Sequence, residues 1–439
     1  MNKTNKVFAL IFTVLFVVSL FVLSFADEGE AANRVVRGRV GSSGRTTRAR
    51  TPSTFAGGAG TQKSPYVVRT AAQLLSFSNT VNSGNTYAGK YIRLGADIDL
   101  SNAAWLPIGF FNNNGSRSFR GVFDGAGFTI WNMRAGNGTR AAVGLFGSID
   151  GATISRVNLQ YVEVLGSSNV GAVVAFMKNS SVKDCSVSGS VKGTSGVGGI
   201  VGSAMAGMVQ NCNFSGNVTG DSGIGGLIGT MDQTAIRSSI VSGRVEGKND
   251  VGGFVGGVLA GDLLNCAADL VTVKGEQNVG GLIGHIIDSG TANKSSFNGQ
   301  VAGSEGSGGI AGRMVAGTLR DCSSKGSVQG SQNTGGIVGE LIDGEIINSV
   351  SGASTIGSTN VGGVAGYLSG GKVERSSNSG SVKGGEAVGG IVGNLAGGSL
   401  SASKNTGSVI GYHSSGAVVG VHGNATVSDS SNSGKLIER

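Results

Sequence analysis

The amino-acid sequence predicts an all-β protein, a right-handed parallel β-helix of about eleven coils with an N-terminal cap that contains one short helix. Three observations predict this fold. A glycine-rich unit recurs every 27 or 28 residues. Glycine accounts for 81 of the 439 residues and proline for only 3. No part of the unit has the 3.6-residue apolar period of an amphipathic helix.

The repeat is the strongest signal in the chain. Its units open at Val143, Val170, Val197, Ile224, Val251, Val279, Ser307, Thr334, Val361, Val388 and Ser415. Successive openings lie 27 residues apart eight times and 28 residues apart twice. Each unit holds three short β-prone pieces and cannot bury its apolar face alone. Stacked units can bury it, because each coil pairs its strands with those of its neighbours.

The composition agrees with a stacked sheet. Glycine suits turns that need a positive φ, and proline would remove N–H groups from the ladder of hydrogen bonds. Glycine has no three-residue period, which excludes collagen. Hydrophobic residues make up 39% of the chain and recur regularly, which argues against a disordered linker.

A column of small residues supports the register of the repeat. It consists of Cys185, Cys212, Ser239, Cys266, Ser295, Cys322, Ser349, Ser376, Ser403 and Ser430. We interpret this column as a structural ladder that faces inward. A metal or redox site would need thiolates that converge, and the chain has no Cys-x-x-Cys motif. Cys185 and Cys212 fall in adjacent coils, where a disulfide is an open alternative.

The N-terminal segments differ from the repeats in composition. Residues 1–26 have the pattern of a signal peptide or N-terminal anchor, since Lys3 and Lys6 precede an apolar run over 7–23. Residues 27–54 form an Arg/Ser/Gly-rich linker, and contact with an anionic wall polymer or lipid headgroup is its alternative role. Residues 1–142 carry 16 Lys and Arg against 6 Asp and Glu, whereas 143–439 carry 18 against 20. The repeat region is therefore nearly neutral.

Residues 55–142 are predicted to cap the solenoid and merge into its first coils, before the repeats at 143–439. We expect strands over 65–69, 91–100 and 119–133 and a helix over 70–81. Leu74, Leu75 and Phe77 would form the apolar face of that helix. A lid is needed because an open strand edge with an apolar interior promotes aggregation.

Few residues suggest chemistry. His285, His413 and His422 form no His-Glu-x-x-His motif, so we interpret each as a surface or turn residue. The phosphate-loop-like 366–373 and the dinucleotide-like 306–311 lie within repeats, away from any strand-to-helix turn. No catalytic residue, cofactor or metal ligand is predicted.

One acidic group deserves separate treatment. Asp97 and Asp99 would share a strand face, and Asp124 lies in a turn. General acid/base work or a Ca²⁺ site is one hypothesis. Turns whose carboxylates accept backbone N–H groups are the favoured interpretation.

These motifs resemble a known family. Gly226-Leu-Ile-Gly229 and Gly281-Leu-Ile-Gly284, with variants in nine other units, resemble the GLUG repeat of bacterial exported and surface proteins. The leading segment strengthens the resemblance with 55–61, 65–66, 96–100, 105–109 and 121–125. The resemblance implies a β-helix such as those of adhesins and of the non-catalytic region of IgA-cleaving metalloproteases. It implies no family-wide catalytic residues.

The expected function is a non-enzymatic, exported module at a bacterial surface or outside the cell, which serves adhesion, ligand binding or spacing. A polysaccharide lyase or hydrolase and a purely structural envelope protein are the alternatives. An enzyme would need charged residues that break the repeat along one groove, and the units are interpreted as too uniform for that. Host or cell-surface glycans or proteins are the expected partners. Nucleic acid is not expected, and membrane contact is expected only through the N-terminal segment.

Overall fold

The computed structural model describes residues 54–101, 103–112 and 115–438. These residues form a parallel β-solenoid of about 14 turns with one short helix near the N-terminal end. The predicted fold class is confirmed. Residues 1–26 and most of the predicted linker over 27–54 lie outside the described residues, and the right-handed sense of the coil stays a prediction.

Three parallel sheets run along the solenoid. Sheet I contains Tyr66–Val68, Tyr91–Leu94, Val122–Asp124, Phe146–Asp150, Thr153–Ser155, Val174–Lys178, Ser181–Lys183, Val201–Gln210, Ile228–Arg237, Val255–Leu264, Ile283–Asn293, Ala311–Met314, Thr318–Arg320, Val338–Leu341, Glu345–Ile347, Ala365–Leu368, Lys372–Glu374, Val392–Leu395, Ser399–Ser401, Val419–His422 and Thr426–Ser428.

Sheet II contains Ile98–Asp99, Ala104–Trp105, Thr129–Trp131, Arg134–Ala135, Asn158–Leu165, Ser186–Lys192, Asn213–Thr219, Ile240–Glu246, Ala267–Lys274, Ser296–Ala302, Ser323–Gln329, Val350–Ser351, Ser354–Ile356, Ser377–Asn378, Val382–Lys383, Lys404–Asn405, Val409–Gly411, Ser431–Asn432 and Leu436–Glu438. Sheet III contains Ser168–Gly171, Ser195–Gly198, Ser222–Gly225, Asn249–Gly252, Gln277–Gly280, Glu305–Gly308, Gln332–Gly335, Thr359–Gly362, Glu386–Gly389 and His413–Gly416. Phe111–Asn112 and Gly115–Ser116 form a separate antiparallel pair.

The turn count exceeds the predicted eleven because the N-terminal segment also forms coils. Tyr66–Val68, Tyr91–Leu94 and Val122–Asp124 pair in parallel with one another, and the last of them pairs with Thr153–Ser155 of the first repeat. Three further turns therefore precede the eleven repeats. Their spacing is irregular, so the 27-residue period of the sequence does not reveal them.

Helix α1, over Ala71–Asn82, lies in the N-terminal segment, one residue from its predicted bounds. Thr70 caps it by accepting a hydrogen bond from the backbone N–H of Gln73. Leu74 and Phe77 are fully buried, as predicted, but Leu75 is 43% exposed and does not belong to the apolar face.

The first coils are closed by packed aromatic rings. Helix α1 contributes Phe77 to a cluster of contacting rings. The cluster contains Phe55, Tyr66, Phe77, Tyr87, Phe119, Phe123 and Phe146. The expected strands over 91–100 and 119–133 are each interrupted, and they form Tyr91–Leu94 with Ile98–Asp99 and Val122–Asp124 with Thr129–Trp131. Glycine and Asp residues in the gaps make the corners of the coil.

Two glycines of each repeat make its tightest bend. A Cβ atom on Gly226 would lie 2.2 Å from the carbonyl oxygen of Gly253 in the next coil. A Cβ atom on Gly229 would lie 2.4 Å from the backbone of Gly196 and Val197 in the preceding coil. Only glycine permits these approaches, so the repeated glycines bring the end of each sheet III strand against the start of sheet I. No helix among the described residues is long and apolar enough to cross a membrane.

Candidate ligand-binding groove

The predicted Cys/Ser ladder forms one inward-facing column. Nine of its ten residues are at most 2% exposed, and Ser430, in the final coil, is partly exposed. Each hydroxyl or thiol reaches back to a carbonyl two residues earlier, as in Ser239 Oγ to Arg237 O at 2.9 Å and Cys212 Sγ to Gln210 O at 3.3 Å. Ser239 Oγ also accepts the backbone N–H of Cys212 at 3.0 Å. Serine and cysteine alternate here because both are small and can satisfy the same carbonyl.

All four cysteines of the described chain are buried and free. The hydrogen bond with the Cys212 thiol, followed by burial, raises the pKa of Cys185 well above its usual range. Burial raises the pKa of Cys266 and of Cys322 to about 11. Protonated, buried thiols are poor nucleophiles and poor metal ligands.

The acidic residues of the first coils hold turns. Asp97 Oδ1 accepts the backbone N–H of Thr129 at 2.8 Å, and Asp124 Oδ1 accepts that of Ala126 at 2.8 Å. The side-chain amide of Asn132 and the backbone N–H of Ser101 both donate to Asp99, and they lower its pKa. These contacts are those of turn-forming carboxylates. Among the described residues, no group of three or more His, Cys, Asp or Glu could hold a metal ion.

The glycine-rich motifs that resemble nucleotide loops lie in ordinary coils. Residues 306–311 connect Glu305–Gly308 of sheet III with Ala311–Met314 of sheet I, and 366–373 span two strands of sheet I. Neither segment leads into a helix, so neither has the geometry of a phosphate site.

The bend between sheets III and I forms a groove along the solenoid. One side is a column of residues that immediately precede each repeat opening, here named the arc column. It contains Ala142, Asn169, Gly196, Gly223, Asp250, Asn278, Gly306, Asn333, Asn360, Ala387 and Ser414. All eleven have a φ between 50° and 66°, a left-handed conformation that Asn, Asp and Gly adopt most readily.

The other side is a column of sheet I that we name the groove column. Its residues pair directly from coil to coil: Ser148, Phe176, Ser203, Thr230, Gly257, His285, Arg313, Glu340, Tyr367, Asn394 and Val421. From Phe176 onward, the ten coils present ten different residue types, all half-buried. Two residues earlier, the same strands present only Val, Ile, Ala or Phe. Variation is thus concentrated on one outward column.

Hydrogen bonds join the two columns across the groove. Ser203 Oγ donates to Asn169 Oδ1 at 2.6 Å, and Asn394 Nδ2 donates to Asn360 Oδ1 at 3.2 Å. His285 Nδ1 lies 3.3 Å from Asp250 Oδ1, with side chains 15% and 11% exposed respectively. The interpretation of His285 as a surface or turn residue was therefore wrong, because the bend folds its ring against a buried carboxylate. His413 and His422 are exposed.

The chemistry changes along the groove. Gly257 leaves an opening beside His285, since the nearest atom to an added Cβ would be Thr230 Cγ2 at 3.7 Å. Arg313 Nε and Glu340 Oε2 form an ion pair at 3.1 Å. Tyr367 follows in the next coil and makes no side-chain hydrogen bond with the described residues. This succession can offer donors, acceptors and an aromatic ring to a single extended ligand.

The groove column corrects the expectation that the units are uniform. Uniformity holds for the inward columns, but the sixth residue after each opening varies in every coil. Sequence analysis missed these residues because it searched for known motifs, and a column has no motif along the chain. Alignment of the eleven units by their openings would have revealed it.

The repeat itself matches a family model. Residues 193–219 match the model described as "The GLUG motif". The chain carries GLUG repeats. The matched residues begin before the bend and include the glycines, the inward ladder and the sheet II strand of one coil, which the neighbouring coils repeat in register.

Two relatives share parts of the GLUG region. The chain is 33% identical over 144 residues to "Halomucin" of Haloquadratum walsbyi, a match to 30% of this chain and 2% of the relative. It is 36% identical over 98 residues to the "Putative Gly-rich membrane protein" of Evansella cellulosilytica, a match to 22% of this chain and 11% of the relative. The chain therefore spans only a small part of the length of either relative.

A solved structure gives a further comparison. The "putative immunoglobulin A1 protease from Bacteroides ovatus" aligns with 85% of this chain and 87% of its own, with 20% sequence identity and a TM-score of 0.32.

Proposed function

We propose that this protein is an exported, non-enzymatic binding rod, and that it holds a polymeric ligand in the groove between the arc column and the groove column. The observation that carries this proposal is the groove column itself, in which ten successive coils present ten different residue types. A scaffold or spacer would need no such variation, because the inward columns already specify the coil. An extended ligand explains why the variation continues through so many coils.

The spacing of the acidic groups favours binding over cleavage. Glycosidases place two carboxyl groups about 5 to 9.5 Å apart. The groove carboxylates Asp250 and Glu340 belong to coils three repeats apart, which is roughly 14 Å at a strand spacing of about 4.8 Å. Each also has a fixed partner, His285 for Asp250 and Arg313 for Glu340.

Export and a surface location belong to the same proposal. The apolar run over 7–23 follows Lys3 and Lys6, as in an export signal. One matched relative is named as a Gly-rich membrane protein, and the other is named "Halomucin". An extracellular location would expose the groove to polymers of neighbouring cells or of a host.

The test is a binding screen of the full chain against immobilised glycans, matrix proteins and whole bacteria, with product formation followed on the same polysaccharides. The groove variant is Arg313→Ala with Tyr367→Ala. A matched control changes Arg244 and Tyr161 to Ala, since both lie on sheet II and Arg244 is also ion-paired, with Glu246.

We expect saturable binding that the groove variant loses and the control keeps, with no shortened product. Shortened polysaccharide would make the lyase or hydrolase alternative the leading one. Equal loss of binding in both variants, or no binding at all, would contradict the groove as a ligand site and leave a structural role.

A further inference from the structure

We infer that the coils from Arg313 to Asn394 form a subsite for a neutral, extended glycan, with about one sugar residue for each coil. This inference rests on the proposed function and names its ligand class. Its core is four consecutive groove-column residues, Arg313, Glu340, Tyr367 and Asn394, which pair directly from coil to coil.

The side chains match the two kinds of surface on a pyranose ring. Hydroxyl groups need charged or amide partners, which Arg313, Glu340 and Asn394 supply. The C–H face of a sugar packs against an aromatic ring, and Tyr367 supplies one between Glu340 and Asn394. Tyr367 is half-buried and its hydroxyl has no partner among the described residues, so the side chain has free hydrogen-bonding capacity.

The amides beside Tyr367 are already oriented. Asn394 Nδ2 donates to Asn360 Oδ1 at 3.2 Å, and Asn360 Nδ2 donates to Asn333 Oδ1 at 2.9 Å. This chain crosses from the groove column to the arc column and continues along the axis. Asn360 precedes the repeat opening of the coil that carries Tyr367, so the amide chain flanks the ring. A preorganised site loses less entropy when a ligand binds.

The charge of the subsite selects a neutral ligand. Arg313 is the only cation among the four residues, and Glu340 neutralises it through an ion pair at 3.1 Å. An acidic polymer would have to displace that carboxylate. Val315 and Ile342, two residues after Arg313 and Glu340, are half-buried and give the groove an apolar flank. Neutral rings with apolar faces fit this surface better than charged ones.

The spacing of the coils selects an extended chain. Neighbouring strands lie about 4.8 Å apart, which is close to the length of one sugar residue in an extended pyranose polymer. The four side chains therefore repeat at the period of such a ligand. A compact or branched glycan would contact only one or two of them.

The experiment is titration calorimetry of the full chain with linear neutral oligosaccharides of two to eight residues, from xylan, cellulose and chitin. Polygalacturonate and an extended neutral peptide are the competing probes. Affinity is expected to rise up to about four sugar residues and then to level off, as each added residue meets one more coil.

Tyr367→Ala and Asn394→Ala are each expected to weaken neutral-glycan binding at least tenfold, and Tyr367→Phe to keep it within about threefold, because stacking carries most of the contact. Tyr161→Ala is the matched control, since Tyr161 is an exposed tyrosine of sheet II, 73% accessible. Circular dichroism of every variant checks that the solenoid is intact.

Two outcomes separate this inference from the proposed function. Binding of only the acidic polymer or the peptide, lost on mutation of Tyr367, would overturn the glycan class while the groove remains the ligand site. Neutral-glycan binding that Tyr367→Ala and Tyr161→Ala affect equally would overturn the subsite and the groove together. Absence of binding to every neutral oligosaccharide also overturns the inference.

Discussion

The N-terminal and C-terminal halves of the solenoid fill one interior column of sheet II with opposite chemistry. In the N-terminal half the column is apolar, with Leu159, Val187, Phe214, Val241, Ala268 and Phe297. In the C-terminal half it becomes polar, with Ser324, Ser351, Asn378, Asn405 and Asn432. The backbone register does not change across this boundary. The same coil geometry is therefore compatible with two different sources of stability.

The polar half is stabilised by an asparagine ladder. Asn378 Nδ2 donates to Asn405 Oδ1 at 2.9 Å, and Asn405 Nδ2 donates to Asn432 Oδ1 at 2.8 Å. Each amide also closes its own turn, as when Asn405 Nδ2 donates to Gly407 O at 2.9 Å. Buried amides are tolerated here because their donors and acceptors are paired.

Four buried hydroxyls near the boundary lack such partners. They are Ser307, Thr334, Ser351 and Thr355. Each has given up hydrogen bonds to water without an equivalent in the fold. The comparison therefore teaches that apolar coils and amide-ladder coils are both well satisfied, while the coils between them are not. Local stability should be lowest around this boundary and towards the exposed final coil.

The largest expected effect tests the apolar end. Phe77→Ala removes the helix α1 ring from the aromatic cluster and should cost about 4 kcal/mol, because a cavity replaces a fully buried side chain. Trp105 and Trp131, the two tryptophans of the chain, lie in these first coils and report their unfolding by fluorescence in urea. The control Leu75→Ala, at a 43% exposed position, should cost less than about 1 kcal/mol. Equal effects would mean that the cluster does not close this end.

The next effect tests the amide ladder. Asn405→Ala should destabilise the last coils by about 3 kcal/mol, since it leaves the amides of Asn378 and Asn432 and the turn at Gly407 without partners. Hydrogen exchange should accelerate over 378–438 while tryptophan fluorescence still reports an intact N-terminal end. Asn213→Ala, at an exposed position, is the control. Acceleration spread evenly over the chain would contradict a ladder with local effect.

An alkaline titration sharpens the comparison from the ladder of thiols. In the folded chain burial raises the pKa of Cys266 and Cys322 to about 11, from 9.0 for an unperturbed thiol. The thiols of the unfolded chain therefore ionise first, so the free energy of unfolding should fall as the pH rises from about 9 to 11. The loss by pH 10 should be about 1 kcal/mol for each thiol.

The control for the thiols is Cys322→Ser. Serine occupies the same column in neighbouring coils, so the variant should keep the ladder and show a smaller fall in stability with pH. The same burial predicts that none of the four thiols reacts with a disulfide reagent in the folded chain at pH 8. An unchanged alkaline fall in the variant would show that other groups cause it.

The smallest expected effect tests the boundary. Thr334→Val replaces a buried, unpartnered hydroxyl by a methyl group of similar size and should raise the free energy of unfolding by about 1 kcal/mol. Local hydrogen exchange around coils 307–361 measures it. Thr194→Val, at an exposed position, should have almost no effect. Destabilisation by Thr334→Val would reveal that this hydroxyl has a partner, such as a buried water.

The sequence by itself determined the repeat, its length and its inward columns. Opening residues such as Val197 and the Cys/Ser column recur every 27 or 28 residues because every coil must present the same side chains to the same interior. Helix α1 was also predictable, since Thr70 and the apolar residues Leu74 and Phe77 follow helical spacing. The three extra coils were not, because irregular corners interrupt their period.

Only the tertiary structure decided what lies on the outside. His285 and Asp250 are 35 residues apart in the chain, yet the glycine bend places their side chains 3.3 Å apart. Arg313, Glu340, Tyr367 and Asn394 become neighbours solely because parallel coils stack in register. Burial constrains every inward position to similar residues, so the sequence repeats there. The groove is free of that constraint, and its arrangement depends on contacts between coils that no local stretch of sequence specifies.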